Sequence, residues 1–156
     1  MKRYLGYFFL VFALISLAIA IKDLSTTKDS PEKTQNFNKG NHTAIILFRG
    51  SGFCPTCDIM EKLTSELFIG ALSEDKASGA VTFTKINLEE PANEHFFYDY
   101  DLVTTSIVLS RIENGKETRW KNLADGWKLA ETSPEAFKQY VEKETRQFET
   151  TGGIKR

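Results

Sequence analysis

The only two cysteines of the chain lie close together, in the sequence Phe53-Cys54-Pro55-Thr56-Cys57. Two thiols at this spacing can close a disulfide and exchange it with another disulfide through a mixed-disulfide intermediate. The motif follows a short apolar run and opens a stretch with helical spacing, which predicts that Cys54 lies at a helix N-terminus. Free N–H groups and the helix dipole stabilise an anion there, so we expect the pKa of the Cys54 thiol to fall below its free value of about 8.5. Cys54 is therefore the candidate nucleophile and Cys57 the candidate resolving thiol.

Neighbouring residues should modify this chemistry. The residues expected to support the motif are Phe53, Pro55 and Thr56. Pro55 suits a first helical position and stiffens the turn. Asp58 comes directly after the motif, and its negative charge opposes thiolate formation. Arg49, just before the motif, either assists the thiolate or is a solvated loop residue.

Two other interpretations of the cysteine pair remain open. The pair can form an inert disulfide, although so small a ring stabilises a fold little. Copper or zinc bound by Cys54 and Cys57 would need further ligands. The two histidines, His42 and His95, are the other candidates, but we expect both to be exposed polar residues. The chain has no G-x-G-x-x-G pattern for a flavin or nicotinamide, so we expect no cofactor.

The composition limits the class of protein. The 156 residues carry 20 Lys and Arg against 21 Asp and Glu, a balance that argues against a nucleic-acid partner. An apolar fraction of 41%, with 12 Phe, 5 Tyr and 2 Trp, is enough for a core and excludes disorder throughout the chain. Two cysteines are too few for a small domain held together by disulfides.

The first 21 residues have the pattern of a signal peptide or an uncleaved signal anchor. Lys2 and Arg3 precede an uncharged apolar run over residues 4–21, which is close to the minimum length for a membrane span. The two basic residues should keep the N-terminus in the cytoplasm, so the rest of the chain would be exported. We expect a membrane-anchored domain on the periplasmic side, or a secreted one if the chain is cleaved after Ala20.

The remaining chain divides into a linker, a domain and a tail. Residues 22–41 are interpreted as a polar linker, because residues 25–36 contain no apolar side chain and cannot offset their ordering entropy by burial. Residues 42–150 form the predicted domain, and residues 151–156 a short tail.

Within the domain, hydrophobic patterning and turn residues predict the order β-α-β-α-β-β-α. Strands are expected at 43–48, 81–88, 106–112 and 117–123, and helices at 55–72, 91–100 and from Thr132, Ser133 or Pro134 to about 150. The first helix should bury Ile59, Leu63 and Leu67, which are spaced four apart. The early β-α-β unit predicts parallel strands, and Asn114-Gly115 predicts a hairpin that adds an antiparallel edge.

Over residues 42–150 this sequence resembles the thioredoxin superfamily, through its element order and its cysteine motif. The resemblance implies an α/β fold with a central mixed sheet, preceded here by a hydrophobic N-terminal helix. A closer similarity is to a bacterial family of membrane-anchored thioredoxin-like proteins labelled nitrophenyl-compound nitroreductase subunit. It is carried by Phe48-Arg49-Gly50, by Cys54 to Cys57 and by Asn-Leu-Glu-Glu-Pro-Ala-Asn-Glu-His-Phe at 87–96. That label implies a redox accessory role.

Two positions depart from the thioredoxin pattern. The position of the family's cis-proline, opposite the cysteine motif, corresponds here to Thr105-Ser106. The position of its buried acid, beneath the second cysteine, corresponds to Phe48. Without that proton acceptor, we expect Cys57 to depend on water or on Glu89.

These features together predict an extracytoplasmic thiol–disulfide oxidoreductase. Its partners would be a protein with cysteines and a second protein that recycles the pair, because the chain has no third cysteine. A non-catalytic adaptor or an accessory subunit of a redox complex is the alternative, and a copper or zinc carrier is a weaker one.

Overall fold

A computed structural model describes residues 40–150. The elements follow in this order: β1 His42–Arg49, α1 Pro55–Leu67, α2 Ser73–Ser78, β2 Val81–Asn87, a 3-10 turn Pro91–Asn93, α3 Phe96–Asp99, β3 Ser106–Glu113, β4 Lys116–Asn122, α4 Gly126–Thr132 and α5 Pro134–Thr150. The expected N-terminal helix, nearly all of the linker and the tail lie outside the described residues. Within residues 40–150, no helix has the length and apolarity needed to cross a membrane.

The four strands form one mixed sheet in the order β2-β1-β3-β4. The β1 and β2 strands are parallel, as the β-α-β pattern predicts, whereas β1–β3 and β3–β4 are antiparallel. Residues 42–48 of β1 are all buried, because this central strand is covered on both faces. The predicted α/β fold class with a thioredoxin-like mixed sheet is confirmed.

Alternate residues of β1 enter two separate cores. Ile45 and Leu47 lie in a hydrophobic cluster with residues of α1 and α5, including Met60 and Phe137. We call this side of the sheet the helix face. The opposite side, which we call the aromatic face, contains Ala44, Ile46, Phe48, Leu88, Phe96, Tyr100, Leu102 and Val108.

The first helix is shorter than its pattern suggests, and its buried side contains the predicted Leu63 and Leu67 but not the predicted Ile59. It ends at Leu67, and α2 follows as a separate helix that ends at Ser78 and is capped by Gly79, whose φ is 75°. The buried residues of α1 are Cys57, Met60, Leu63, Thr64 and Leu67, at spacings of three and four. Ile59 is 38% exposed, so its predicted place in the buried stripe is wrong.

Helix α4 was not predicted. It buries Gly126 and Ala130 on one side, and its seven residues are too few for a clear period. Helix α5 then begins at Pro134, and the Ser133 hydroxyl accepts a hydrogen bond from the Ala136 N–H at 3.4 Å. Of the predicted starts, the Ser133 cap with Pro134 first is therefore confirmed, and the Thr132 cap is wrong because Thr132 ends α4.

The predicted Asn-Gly hairpin is confirmed. Asn114 and Gly115 have φ values of 53° and 75°, as a type I′ turn requires. The predicted helix over 91–100 is replaced by the 3-10 turn and by the short α3, which contributes the buried Phe96.

Candidate functional site

The sheet register brings together two segments that are distant in the chain. Strand β1 ends at Arg49 and leads through residues 50–53 into the cysteine motif. Because β3 runs antiparallel to β1, its first residue, Ser106, pairs with Phe48. The loop that ends at Thr105 therefore meets the C-terminal end of β1, where the motif begins.

Cys54 and Cys57 are joined as a disulfide, with a distance of 5.2 Å between their Cα atoms. Cys54 is the N-cap of α1 and has extended backbone angles, and Pro55 occupies the first helical turn. The Cys57 N–H donates to the Cys54 sulfur at 3.2 Å, and the Asp58 N–H donates to the Cys54 carbonyl at 3.1 Å. The Cys54 sulfur thus has the N-cap position that the sequence predicts, where a thiolate is stabilised.

The two sulfur-bearing residues differ in burial. Cys57 is only 1% exposed, whereas Cys54 is partly exposed. Phe53, directly before Cys54, is 94% exposed. An incoming disulfide can therefore reach Cys54 more easily than Cys57, an asymmetry that fits the predicted roles of nucleophile and resolving thiol.

Thr105 lies against the buried sulfur. Its Oγ1 is 3.2 Å from the Cys57 Sγ. Since the sulfur in a disulfide carries no proton, the hydroxyl is the donor in this contact. The structure thus places the predicted cis-proline-equivalent residue at the cysteine pair, with a trans peptide bond as in all of residues 40–150. Ser106 is buried in β3, and its hydroxyl donates to the Thr104 carbonyl at 3.2 Å.

Phe48, at the sequence position that corresponds to the family's buried acid, packs in an aromatic cluster on the face of the sheet opposite α1. Phe48 is fully buried, and its ring centroid is 5.2 Å from that of Phe96 and 5.3 Å from that of Tyr100. Glu89, the expected alternative, lies over Gly50, where a Cβ would be 2.6 Å from its Oε1. The structure therefore brings a hydroxyl to Cys57 where the sequence suggested water or a carboxylate.

Charged side chains surround the start of α1. Arg49 Nη1 contacts Asp58 Oδ1 at 2.8 Å and Glu61 Oε2 at 3.2 Å. Lys85 Nζ contacts Glu61 Oε1 at 2.7 Å. Arg49 thus offsets the charge of Asp58, which was expected to oppose the thiolate, so its alternative interpretation as a free solvated residue is wrong.

The second residue between the cysteines is tied to a helix that the sequence did not predict. Thr56 Oγ1 donates to Glu131 Oε1 of α4 at 2.9 Å. The two residues are 75 positions apart, so no local pattern indicates the contact. It fixes the turn between the cysteines relative to α4.

The two histidines differ in burial and in their hydrogen-bond partners. His42, at the opposite end of β1 from the motif, is only 3% exposed, and its Nδ1 is 3.0 Å from the Gly40 carbonyl oxygen. His95 is partly buried and its Nδ1 is 2.8 Å from Asp99 Oδ2. The expectation that both are exposed is wrong, because β3 and the loop before β1 enclose His42. Within residues 40–150, no cluster of three or more His, Cys, Asp or Glu residues is placed to hold a metal ion.

Two of three comparisons with known proteins found no match, and the third found similar solved structures. No family model matches the chain, and no curated protein does. Among solved structures it is similar to the oxidised form of mitochondrial thioredoxin 3 from Saccharomyces cerevisiae, with 19% identity and a TM-score of 0.41 over 70% of this chain and 82% of that chain. The strand order and the disulfide at the start of α1 carry the description of the fold as thioredoxin-like.

Proposed function

We propose that this protein is a thiol–disulfide oxidoreductase that exchanges its Cys54–Cys57 disulfide with a cysteine-containing partner protein. The observation that carries the proposal is the asymmetric disulfide at the N-terminus of α1. Cys54 is the more exposed sulfur and receives a backbone N–H, whereas Cys57 is buried behind it.

In the reducing direction, the Cys54 thiolate attacks a disulfide of the partner. The bond between the two partner sulfurs breaks, and one of them leaves as a thiolate. Cys57 then attacks Cys54 in the mixed disulfide, which closes the Cys54–Cys57 bond and releases the second partner sulfur. Two electrons pass from this domain to the partner, and a second redox protein must restore the thiols.

A variant that cannot resolve the mixed disulfide tests this proposal. Cys57→Ser should accumulate covalent adducts with partner proteins in native membranes, and Cys54→Ser, which lacks the nucleophile, is the matched control. The wild-type protein should also reduce the disulfides of insulin. Absence of adducts together with absence of insulin reduction would overturn the exchange function.

The location is part of the proposal. The basic start and the apolar run over residues 4–21 support an anchored domain outside the cytoplasm. In intact cells treated with a reductant, a membrane-impermeant maleimide should label Cys54. Labelling that appears only after cell lysis would contradict this location.

A second function, a non-catalytic adaptor or an accessory subunit of a redox complex, is favoured by departures from the thioredoxin pattern at two positions. Phe48 stands at the sequence position that corresponds to the buried acid, and Thr105 precedes β3 with a trans peptide. The resemblance of residues 87–96 to the bacterial membrane-anchored family supports the same alternative. In that case the Cys54→Ser,Cys57→Ser double variant should retain partner binding and cellular function, which the exchange function does not allow.

A further inference from the structure

Cys57 lies in surroundings that disfavour a negative charge. It is 1% exposed and sits on α1 among the apolar residues that this helix buries. Burial raises the pKa of a thiol, because the thiolate loses its hydration. A resolving thiol has to become a thiolate before it can attack, so something at this site has to stabilise the anion.

The hydroxyl of Thr105 is in the position to do so. Among the side chains of residues 40–150, it is the hydrogen-bonding group at the Cys57 sulfur, at 3.2 Å. The residue that pairs with β3 beside this loop, Phe48, carries no proton acceptor and packs on the aromatic face. A hydroxyl also suits both forms of the sulfur, because it can accept from the thiol and donate to the thiolate.

We propose that Thr105 is a positioning residue that stabilises the Cys57 thiolate by donating a hydrogen bond to its sulfur. This role rests on the proposed exchange function and specifies how its second step proceeds. The Cys57 thiolate attacks the Cys54 sulfur, the Cys54–Cys57 bond forms, the bond from Cys54 to the partner sulfur breaks, and that sulfur leaves as a thiolate that is protonated by water. Two thiols of this domain are oxidised, and one disulfide of the partner is reduced to two thiols.

The loop is held so that the hydroxyl keeps this position. Tyr100 and Leu102 are buried on the aromatic face, and Asn122 donates from its amide to the carbonyl oxygens of Tyr100 and Asp101, each at 3.3 Å. Thr105 therefore belongs to an anchored segment. Aligning an ordered donor with the anion loses less conformational entropy than aligning a flexible one.

The test isolates the second step by using a small aromatic disulfide, dithiobis-nitrobenzoate, in place of a protein partner. One equivalent added to the reduced protein releases a first coloured thiolate when Cys54 is modified and a second when Cys57 closes the ring. The pH dependence of the second phase gives the pKa of Cys57. In Thr105→Val, that pKa should rise and closure at pH 7 should slow by about tenfold, the effect of losing one hydrogen bond to an anion.

Two further variants separate this role from a structural one. Thr105→Ser keeps the hydroxyl and should restore the wild-type profile. Thr104→Val removes an exposed neighbouring hydroxyl and should leave the second phase unchanged. Thr105→Ala, which introduces no bulk, should repeat the effect of Thr105→Val. A second phase that is identical in the wild type, Thr105→Val and Thr105→Ala would overturn the proposal.

The redox equilibrium between the Cys54–Cys57 disulfide and the two thiols gives a second readout. Loss of the donor destabilises the reduced form where Cys57 is ionised, so Thr105→Val should be harder to reduce in a glutathione buffer above the pKa of Cys57. A tenfold change in the equilibrium constant corresponds to about 30 mV. Neither measurement needs a protein partner, so normal insulin reduction with an unchanged second phase would remove the role of Thr105 and leave the exchange function standing. A changed second phase, with neither insulin reduction nor adducts of Cys57→Ser, would remove the exchange function and leave the effect of Thr105 on Cys57 standing.

Discussion

The two faces of the sheet take alternate residues of the same strand but are built differently. On the helix face, Ile45 and Leu47 of β1 pack against the helices. One of these is α1, whose N-terminus contains the cysteine motif. On the aromatic face, Phe48 packs with rings that precede the Thr105 loop. One face therefore supports the sulfurs and the other supports the hydroxyl that contacts them, so the site depends on both cores.

The faces also differ in polarity. On the aromatic face, the Tyr100 hydroxyl donates to Glu117 Oε1 at 2.8 Å, and the Ser110 hydroxyl donates to the same oxygen. Burial and then the Glu117 carboxylate raise the pKa of Tyr100 far above its usual value. On the helix face, burial, followed by Asp125 and Glu144, raises the pKa of Tyr140 to about 12. Both phenols are therefore protonated at neutral pH, and that of Tyr100 lies in a partly buried hydrogen-bond network with Ser110 and Glu117.

The largest expected effect comes from restoring an acid on the aromatic face. Phe48→Asp should cost more than about 4 kcal/mol at pH 7, because it places a carboxylate among Phe96 and Tyr100 without a partner. Urea denaturation should show a smaller loss at pH 4, where the side chain is protonated. Phe48→Leu, the apolar control, should be much milder. Equal stability of the two variants at pH 7 would show that this face tolerates a charge.

On the helix face, Phe137→Ala should cost about 3–5 kcal/mol, because it empties a fully buried ring position. The ring lies near Gly126 of α4, so the loss should loosen the packing of α4 and α5 on α1. Urea denaturation measures the free energy of unfolding. A loss below about 1 kcal/mol would mean that the neighbouring helices collapse into the cavity. Tyr98→Ala, at an 83% exposed position, is the control and should change little.

The difference in polarity between the two faces predicts that Tyr100 and Tyr140 contribute differently to stability at high pH. Both phenols have raised pKa values in the fold, so the unfolded chain releases their protons first, near the ordinary value of 10.0. Stability from these groups is therefore full below about pH 10 and is lost as the pH rises toward the folded values. Tyr100→Phe should cost about 1–2 kcal/mol at neutral pH and make the alkaline loss shallower. Tyr140→Phe should also reduce that loss, but with little further change above pH 12, where folded Tyr140 ionises as well.

The smallest expected effect is a gain in stability from a substitution on the helix face. A Cβ at Gly126 would lie 3.7 Å from the Phe137 ring and 3.8 Å from the Met60 methyl group, which are ordinary contact distances. Gly126→Ala should therefore stabilise the protein by about 0.5 kcal/mol, through the lower entropy of the unfolded chain. Gly79→Ala is the opposite control, because its φ of 75° strains a side chain, and it should destabilise by about 1 kcal/mol. Thermal unfolding would compare the two, and a loss in Gly126→Ala would show that the packing around α4 has no room.

Local sequence signals were sufficient to predict much of this fold. The apolar run of β1, the Asn114-Gly115 turn and the Ser133-Pro134 start of α5 each depend on residues close in sequence, and the structure contains all three. Local signals were insufficient where burial depends on a distant partner. Ile59 has the spacing of a core residue, but α4 and α5 pack on the side of α1 that carries Met60, and Ile59 is left exposed.

The sequence by itself determined the cysteine pair, its place at a strand–helix junction and the parallel start of the sheet, because spacing, turn residues and the short β-α-β connection act over few residues. The resemblance to thioredoxins, rather than any local pattern, pointed to Thr105 and Ser106 as the position opposite the motif. Only the tertiary structure decided that the Thr105 hydroxyl touches the Cys57 sulfur, 48 positions away, that Arg49 offsets Asp58 and that Thr56 is held by Glu131. These contacts depend on strand register and on the packing of helices across the sheet, which no short stretch of the chain encodes.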